Sequence, residues 1–237
     1  MKFDKDLTQL ISEIVTGFKR TNEIRQLYTD SARIAQDGAH DNMLKQLRYY
    51  LLHQLCAAAA EKFPNLRMAE CGCWWGHSTH ILASILAARP HFSGALDVFD
   101  SFEGLSEFKG QDETPYRPTE ASKTAARQNF RSNFARVREA LSKYSFVQLH
   151  PGWIPGKFHE VEAERFSLVT IDVDLYEPTR DALRFFYPRV SKGGFVYFDD
   201  YGYETFPGAK LAVDEFMKSE RPELFLEMPY GSAFLIK

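Results

Sequence analysis

The chain has 237 residues, with 29 Lys and Arg against 32 Asp and Glu, so its formal net charge is −3. Apolar residues make up 44% of the sequence, which is enough for a sizeable core and argues against an intrinsically disordered chain. This charge balance offers no surplus of cations for phosphates, so we expect no nucleic-acid partner. No apolar run approaches 18 residues, which predicts that no helix crosses a membrane.

The first residues and the cysteines give expectations about the cellular compartment of the protein. The sequence begins MKFDKD and lacks an apolar signal region there, so we expect no secretion. Cys56, Cys71 and Cys73 are too few, and odd in number, for a disulfide framework. Both observations favour the reducing cytoplasm.

Residues 1–65 are predicted to form a helical region that precedes the main domain. Apolar residues recur at helical spacing between Leu7 and Phe18, and Tyr28 to His40 reads as a polar joint. A second helix is expected to begin at Asp41 as its N-cap and to end before Pro64, with an apolar face of Leu44, Leu47, Leu51, Leu55 and Ala59. A packed helical flank is the simpler interpretation, and a lid or a dimer surface is the alternative.

Residues 66–237 are predicted to form an α/β domain, because short apolar runs alternate with helical stretches. The last two predicted strands are joined by a short turn, which favours an antiparallel hairpin. Seven strands ending in a hairpin resemble the Rossmann-like class I methyltransferase fold, although a fold by itself implies no chemistry. The predicted strands are Arg67–Cys71, Ala95–Phe99, Phe146–Leu149, Phe166–Ile171, Phe195–Phe198, Leu224–Glu227 and Ala233–Ile236. The predicted helices of this domain are Ser78–Ala88, Thr119–Tyr144 and Pro178–Tyr187.

The loop after the first strand has the pattern of a cofactor site. Residues 70–79 read ECGCWWGHST, where Gly72 allows close approach of a ligand and Gly76 can take a positive φ. Asp100 ends the next strand and is placed to accept hydrogen bonds from two ribose hydroxyls. The glycines do not form the dinucleotide pattern, and the acidic Glu70 suits an ammonium group. Together these features favour S-adenosylmethionine over NAD.

The same loop offers an alternative metal site. Cys71, Cys73, His77 and His80 are four candidate zinc ligands. Their spacing is tighter than that of common zinc modules. Buried thiols and helix-surface histidines are therefore the simpler interpretation.

A long polar segment, Phe102–Pro118, follows the second strand. Loops of this length inside a compact domain are usually functional or mobile. The helix predicted after it is strongly basic, and a solvated face is the simpler interpretation, with an anionic substrate the alternative. Its basic residues are Lys123, Arg127, Arg131, Arg136, Arg138 and Lys143.

The most informative feature is a set of four aspartates. Asp172 and Asp174 follow a buried strand and can point to one side, and Asp199 and Asp200 follow the next strand. Carboxyl ends of neighbouring parallel strands meet at one edge of a sheet, where ligands bind. Clustered carboxylates repel one another unless protons or a cation relieve them. Oxygen-only ligands favour Mg²⁺, with Ca²⁺ and Mn²⁺ as alternatives, and such an ion promotes methyl transfer to a hydroxyl by lowering its pKa.

Four sequence blocks look like those of the macrocin O-methyltransferase family. They are VFDSFEGL at 98–105, IDVDLYEPT at 171–179, GGFVYFDDYG at 193–202 and GAKLAVDEF at 208–216. The resemblance covers about residues 66–218. It implies O-methylation that depends on S-adenosylmethionine and Mg²⁺, typically at a sugar hydroxyl of an antibiotic glycoside.

The resemblance also implies roles for individual residues. By matching position, Asp172, Asp199 and Asp200 would bind the metal, and Asp174 would be the general base. The implied cofactor-binding residues are Glu70, Gly72, Gly76, Ser78, Asp100, Ser101, Asp172, Gly152 and Trp153, the last two near the adenine. In the first loop the family commonly has an Arg before two glycines, whereas this chain has Trp75, Gly76 and His77.

Three other functions are weighed against this one. A catechol-type O-methyltransferase uses a similar metal trio, and a non-catalytic partner subunit would bind S-adenosylmethionine without turnover. A nucleic-acid methyltransferase is disfavoured by the charge balance and by the lack of an Asn/Asp-Pro-Pro-Tyr type motif. The acceptor and the oligomeric state, including a homodimer, are left open by the sequence.

Overall fold

The computed structural model describes residues 19–36 and 41–237. The apolar repeat between Leu7 and Phe18 lies outside these residues. The helices are α1 (Lys19–Ala35), α2 (Met43–Lys62), α3 (His77–Ala87), α4 (Glu120–Asn129), α5 (Phe134–Leu141), α6 (Tyr176–Phe186) and α7 (Pro207–Ser219). The strands are β1 (Arg67–Cys71), β2 (Leu96–Asp100), β3 (Val147–Pro151), β4 (Phe166–Ile171), β5 (Val190–Phe198), β6 (Leu224–Glu227) and β7 (Ala233–Ile236).

The seven strands form one sheet in the order β3-β2-β1-β4-β5-β7-β6. The first five are parallel, and β7 runs antiparallel to both β5 and β6. The predicted α/β class with a terminal hairpin is therefore confirmed. The order reverses between β1 and β4, and such a switch point opens a crevice at the carboxyl ends of the strands.

Two apolar layers cover the two faces of this sheet. Met68, Leu96 and Leu168 pack with α2 and α3 on one face. Ala69 and Val169, their neighbours along β1 and β4, pack on the other face with α6. Alternate residues of buried strands thus serve different layers, which explains their continuous apolar runs. None of the described helices is long and apolar enough to cross a membrane.

The strand predictions agree with the structure except at some ends. β5 begins at Val190, five residues before the predicted start. Gly193 and Gly194 obscure this part in the sequence because glycine carries no apolar side chain for the strand pattern. The register of β4 against β5 shifts between Phe166 and Leu168, where the extra residues are accommodated.

The prediction of a polar joint from Tyr28 onward is wrong for the residues of α1, which continues to Ala35. Ile24, Tyr28 and Ala32 are buried at helical spacing. The polar Ser31 on the same face is also buried, and its hydroxyl lies 2.9 Å from Nδ1 of His80 on α3. The packed face therefore contains polar and small side chains, so the sequence does not show the apolar stripe of an amphipathic helix.

The predicted start and face of α2 are also corrected. Asn42 is the N-cap, and its side chain accepts a hydrogen bond from the Lys45 N–H. Asp41 instead accepts a hydrogen bond of 2.6 Å from the Tyr28 hydroxyl. Leu44 is 45% exposed, so the buried face is rotated and consists of Lys45, Tyr49, Leu52, Leu55, Cys56, Ala59 and Ala60.

Two helices of the main domain differ from their predicted limits. The helix predicted over Thr119–Tyr144 is divided into α4 and α5, because Asn133 caps the second with its side chain. Helix α6 begins at Tyr176, so Pro178 is its third residue rather than its first. A backbone N–H at the third position of a helix has no acceptor within the helix. Proline, which has no N–H, is therefore tolerated there.

Candidate active site

A cavity of about 500 Å³ opens at the carboxyl ends of β1, β2, β4 and β5. Residues from α2, from the Phe102–Pro118 loop and from the segment before α7 complete its walls. Ten of the predicted site residues line it: Gly72, Ser78, Asp100, Ser101, Gly152, Trp153, Asp172, Asp174, Asp199 and Asp200.

Continued backbone pairing beyond the strands brings the aspartates to one edge. The N–H of Asp172 donates to the Cys71 carbonyl at 2.8 Å, and the N–H of Asp199 donates to the Ile171 carbonyl at 3.1 Å. Asp172, Asp174 and Asp200 each offer a carboxylate oxygen, and these three oxygens lie within 4.8 Å of one another. The structure thus gathers three of the four aspartates into one group, called here the acid trio.

Asp199 lies beside the acid trio but makes different contacts. Its Oδ2 is 3.1 Å from Nε of Arg48, and its Oδ1 accepts a hydrogen bond of 2.8 Å from the Tyr197 hydroxyl. Arg48 comes from α2 and was not found by sequence reasoning. Arg48 and Asp199 are about 150 residues apart in the sequence, so no local pattern indicates their contact. The only indication is that Arg48 lies next to the buried face of α2.

Burial and mutual repulsion perturb the carboxyl groups of the acid trio. Burial raises the pKa of Asp172 and of Asp174 well above the usual range, and neighbouring aspartates add to the effect. Burial and the charge of Asp199 raise the pKa of Asp200 to about 7. An oxygen-only group that resists ionisation is relieved by a divalent cation, so these residues fit a hard metal ion.

Asp174 has an unusual backbone conformation for a residue with a side chain. Its φ is 61°, in the left-handed region, and its N–H donates to Oδ2 of Asp200 at 3.2 Å. Such residues persist where the surroundings hold them, and they concentrate at functional sites. The charge of Arg117, in the Phe102–Pro118 loop, acts on the Asp174 carboxyl.

The glycines of the first loop have separate tasks. Gly72 lines the cavity with φ 85°, and a Cβ placed there would lie 1.7 Å from the Asp172 carbonyl oxygen. Gly76 has φ 81° and forms the N-cap of α3. A Cβ placed on Gly76 would point toward Val137 of α5. Gly76 therefore shapes the turn behind the cavity wall.

Asp100 organises the loop that it faces. Its Oδ2 accepts hydrogen bonds of 2.8 Å from the N–H groups of Cys73 and Trp74. Its Oδ1 accepts one of 2.7 Å from the Phe102 N–H. Its own carbonyl accepts from the Gly152 N–H at 2.9 Å, which links the second and third strand ends. Asp100 therefore holds three loops in register around the cavity.

Glu70 lies behind the loop and does not contribute to the described cavity wall. It is 1% exposed and accepts a hydrogen bond of 2.5 Å from the Thr79 hydroxyl. Burial raises the pKa of Glu70 to about 7, while hydrogen bonds from Ser78 and Thr79 oppose the rise. Its contact with Thr79 ties β1 to the first turn of α3.

The two histidines among the four candidate zinc ligands make other contacts. His77 Nε2 lies 3.1 Å from the Tyr28 carbonyl, and His80 bonds to Ser31. Cys71 and Cys73 are free and buried. In residues 19–36 and 41–237 the acid trio alone meets the geometry of a metal group, so the zinc alternative has no support there.

The Phe102–Pro118 loop is anchored at two points that sequence reasoning missed. Asp112 is buried, and its Oδ1 accepts a hydrogen bond of 2.8 Å from the Tyr176 N–H at the start of α6. Arg117 lies 4.2 Å from the ring centre of Phe206 and donates to the Thr205 carbonyl. A buried aspartate within a polar loop was the available signal for the first anchor.

The basic residues after this loop lie outside the described cavity wall. Lys123 pairs with Glu113 and Glu120, and Arg127 donates to the Leu105 carbonyl. The cationic residues in the described cavity wall are Lys45 and Arg48, both from α2. The solvated-face interpretation of this helical stretch holds only in part, because the Lys123 side chain is 12% exposed.

A sequence model of the macrocin O-methyltransferase family (TylF) matches residues 5–225. The chain belongs to the macrocin O-methyltransferase family. Mycinamicin III 3''-O-methyltransferase of Micromonospora griseorubida is 30% identical over 214 residues, which cover 87% of this chain and 80% of the relative. An 8-demethyl-8-(2,3-dimethoxy-alpha-L-rhamnosyl)-tetracenomycin-C 4'-O-methyltransferase of Streptomyces olivaceus is 30% identical over 143 residues.

Coverage of the relatives is uneven. The chain spans 54% of the Streptomyces olivaceus enzyme and 57% of demethyldecarbamoylnovobiocin O-methyltransferase of Streptomyces niveus. Among solved structures, the O-methyltransferase NovP aligns with a TM-score of 0.67 and 24% identity over 80% of this chain and 79% of its own. The calicheamicin methyltransferase CalS11 aligns with a TM-score of 0.63 and 19% identity over 92% and 93% of the two chains. These structures support the class I fold of this family member.

Proposed function

We propose that this member of the macrocin O-methyltransferase family transfers a methyl group from S-adenosylmethionine to a sugar hydroxyl of a small-molecule glycoside, with the help of a divalent metal ion. The observation that carries the proposal is the acid trio at the edge of the cavity. The loops that contain Gly72 and Asp100 line the same cavity beside it. A carboxylate group and a nucleoside-sized cavity meet there at the switch point of the sheet.

The cofactor would lie along the ends of β1, β2 and β3. Gly72 lines this part of the cavity, Ser78 stands at the start of α3, and Ser101 faces the same cavity beside Asp100. Gly152 and Trp153 line the far end, where an aromatic ring suits an adenine. Asp100 supports this site mainly through the loop N–H groups that it holds.

The metal ion would be Mg²⁺, bound by Asp172 and Asp200 with Asp199 as a further ligand, and Asp174 would act as the base. The ion supplies charge stabilisation that makes a hydroxyl easier to deprotonate. Asp174 would accept the hydroxyl proton, because its buried carboxyl lines the cavity beside the residues that would hold the ion. The assignment of Asp174 follows the family resemblance, and its place in the acid trio is compatible with it.

The acceptor would enter beside an apolar and aromatic wall. Trp74, Phe130, Phe206 and Tyr203 line this part of the cavity together with Leu105. Aromatic faces pack well against the apolar faces of a ring, while a few polar groups fix its orientation. The curated relatives are named for methylation at a rhamnosyl group, of a novobiocin precursor and of mycinamicin III, which favours a natural-product glycoside.

The proposal is tested by incubating the protein with S-adenosylmethionine, Mg²⁺ and a panel of rhamnosylated or deoxysugar glycosides beside simple catechols. Mass spectrometry should show a gain of one methyl group on a glycoside, lost when EDTA is added. Methylation of catechols alone would instead favour the catechol-type alternative. Binding of the cofactor with no methyl gain on any acceptor of the panel would favour the non-catalytic alternative.

Three further expectations stay predictions. They are a cytoplasmic location, a homodimer and a division into a helical region at residues 1–65 and a methyltransferase domain at residues 66–237. Size-exclusion chromatography with light scattering tests the second, and folding of a chain that starts at residue 66 tests the third.

A further inference from the structure

Arg48 reaches the acid edge of the cavity from outside the α/β domain. It belongs to α2, and its side chain is 13% exposed. Its Nε is 3.1 Å from Oδ2 of Asp199, whose side chain is 6% exposed. The guanidinium also lies 4.8 Å from the ring centre of Tyr203 and donates to the Tyr203 hydroxyl. A long flexible side chain thus places one positive charge beside four carboxylates.

The contact between Arg48 and Asp199 is ionic rather than a well-formed hydrogen bond. Nε of Arg48 is buried and makes no contact of hydrogen-bond geometry, although Asp199 lies within ion-pair distance. Arginine binds a carboxylate most firmly when both of its donors engage in a planar fork. A pair held by charge in this way is easier to exchange for another cation.

The surrounding charges favour such an exchange. The carboxyl groups that act on the guanidinium include Asp199 and Asp200, and the Tyr197 and Tyr203 hydroxyls face it as well. Once the four aspartates ionise, one unit of positive charge cannot balance them, whereas a divalent ion carries twice that charge. Carboxylate oxygens are also the preferred ligands of such an ion.

We propose that Arg48 and the divalent metal ion compete for Asp199. Without the ion, Arg48 holds Asp199 apart from the acid trio. When the ion takes Asp199, the guanidinium leaves it and stays against Tyr203, on the acceptor side of the cavity. Arg48 is therefore a positioning residue through which α2 responds to metal loading. This inference rests on the proposed function, because it presumes that the acid edge binds a metal.

The test is the affinity of the full chain for Mn²⁺, measured without cofactor by the electron paramagnetic resonance signal of the free ion. Arg48→Gln should bind Mn²⁺ roughly tenfold more tightly than wild type, because a competing charge is removed from the site. Arg48→Lys keeps a positive charge and should stay close to wild type. Circular dichroism melting of both variants identifies a chain that has failed to fold. If Arg48→Gln fails, Arg48→Met, which removes the charge but keeps an apolar stem, takes its place with the same expected gain in Mn²⁺ affinity.

A double-mutant cycle separates direct competition from general electrostatics. If Asp199 is the shared partner, Arg48→Gln should gain no affinity when Asp199 is already replaced by Asn. Arg180→Gln is the matched control, since Arg180 pairs with Asp181 of the cavity wall and should change the affinity by less than about twofold, as an exposed charge does.

Each outcome decides between the two proposals. Wild type that binds Mn²⁺, with Arg48→Gln folded and no tighter, would overturn the competition alone. A gain that persists in the Asp199→Asn background would also overturn it, because Asp199 would then not be the shared partner. Wild type that binds neither Mn²⁺ nor Mg²⁺ would overturn the metal part of the proposed function, and the competition with it.

Discussion

Gly72 and Asp172 meet through their backbones where β1 and β4 end. A Cβ at residue 72 would lie 1.7 Å from the Asp172 carbonyl oxygen, and the φ of Gly72 is 85°. The loop of the cofactor side and the strand end that carries the acid trio are therefore in direct contact. A change in one displaces the other, which couples two parts of the site that lie about 100 residues apart in the sequence.

Gly72→Ala should disturb both parts of the site. The added methyl group forces the two strand ends apart and imposes a left-handed φ on alanine, at a cost of about 3 kcal/mol. Urea unfolding measures this loss, and calorimetry should show weaker binding of S-adenosylhomocysteine. Gly110→Ala is the control, because no atom lies within 4 Å of its Cβ position. Equal stability of the two variants would contradict the close contact.

Asp174→Asn should reduce turnover by about a thousandfold, because an amide cannot accept the proton of the acceptor hydroxyl. Affinity for S-adenosylhomocysteine should remain at the wild-type level, and Mn²⁺ should still bind because Asp172, Asp199 and Asp200 are kept. Asp181→Asn, which changes another carboxyl of the cavity wall, should retain turnover. If Asp174→Asn loses Mn²⁺ affinity instead, Asp174 is a metal ligand and the base lies elsewhere.

Glu70→Gln should change how the stability of the cofactor-free protein depends on pH. The pKa of Glu70 rises from 4.5 to about 7 in the folded chain, so the native state holds this proton more tightly than the unfolded state. Wild type should therefore lose stability relative to Glu70→Gln as the pH rises from about 4.5 to 7, by about 3 kcal/mol in total.

Chemical unfolding of both chains at pH 5 and pH 8 measures this difference. The side-chain amide introduced by Glu70→Gln can still accept a hydrogen bond from the Thr79 hydroxyl, so packing is largely kept. A constant stability difference between the two pH values would contradict the raised pKa of Glu70.

Asp112→Ala should loosen the Phe102–Pro118 loop. The carboxylate accepts hydrogen bonds from the N–H groups of Tyr176 and Lys109, and leaving buried donors unpaired costs about 2 kcal/mol. Hydrogen exchange followed by mass spectrometry should show faster exchange across this loop and at the start of α6. Glu107→Ala, at an exposed position of the same loop, should leave these rates unchanged.

Much of the sheet was accessible from sequence because its central strands are buried and turn residues bound the terminal hairpin. β1, β4, β6 and β7 have the predicted limits, and the aspartate pairs follow β4 and β5 as expected. The polar face of α1 and the rotated face of α2 were not accessible. Ser31 and Lys45 are buried there, and apolar periodicity alone cannot recognise a packed face that contains them.

The sequence by itself determined the alternation of strands and helices and the aspartates at the strand ends, since both depend on local order along the chain. Tertiary structure decided which carboxylates meet and which cation they meet. The acid trio depends on the adjacency of β4 and β5, and Arg48 reaches Asp199 only because α2 packs against the sheet. Such contacts depend on how distant segments pack, and no local pattern of residues records that packing.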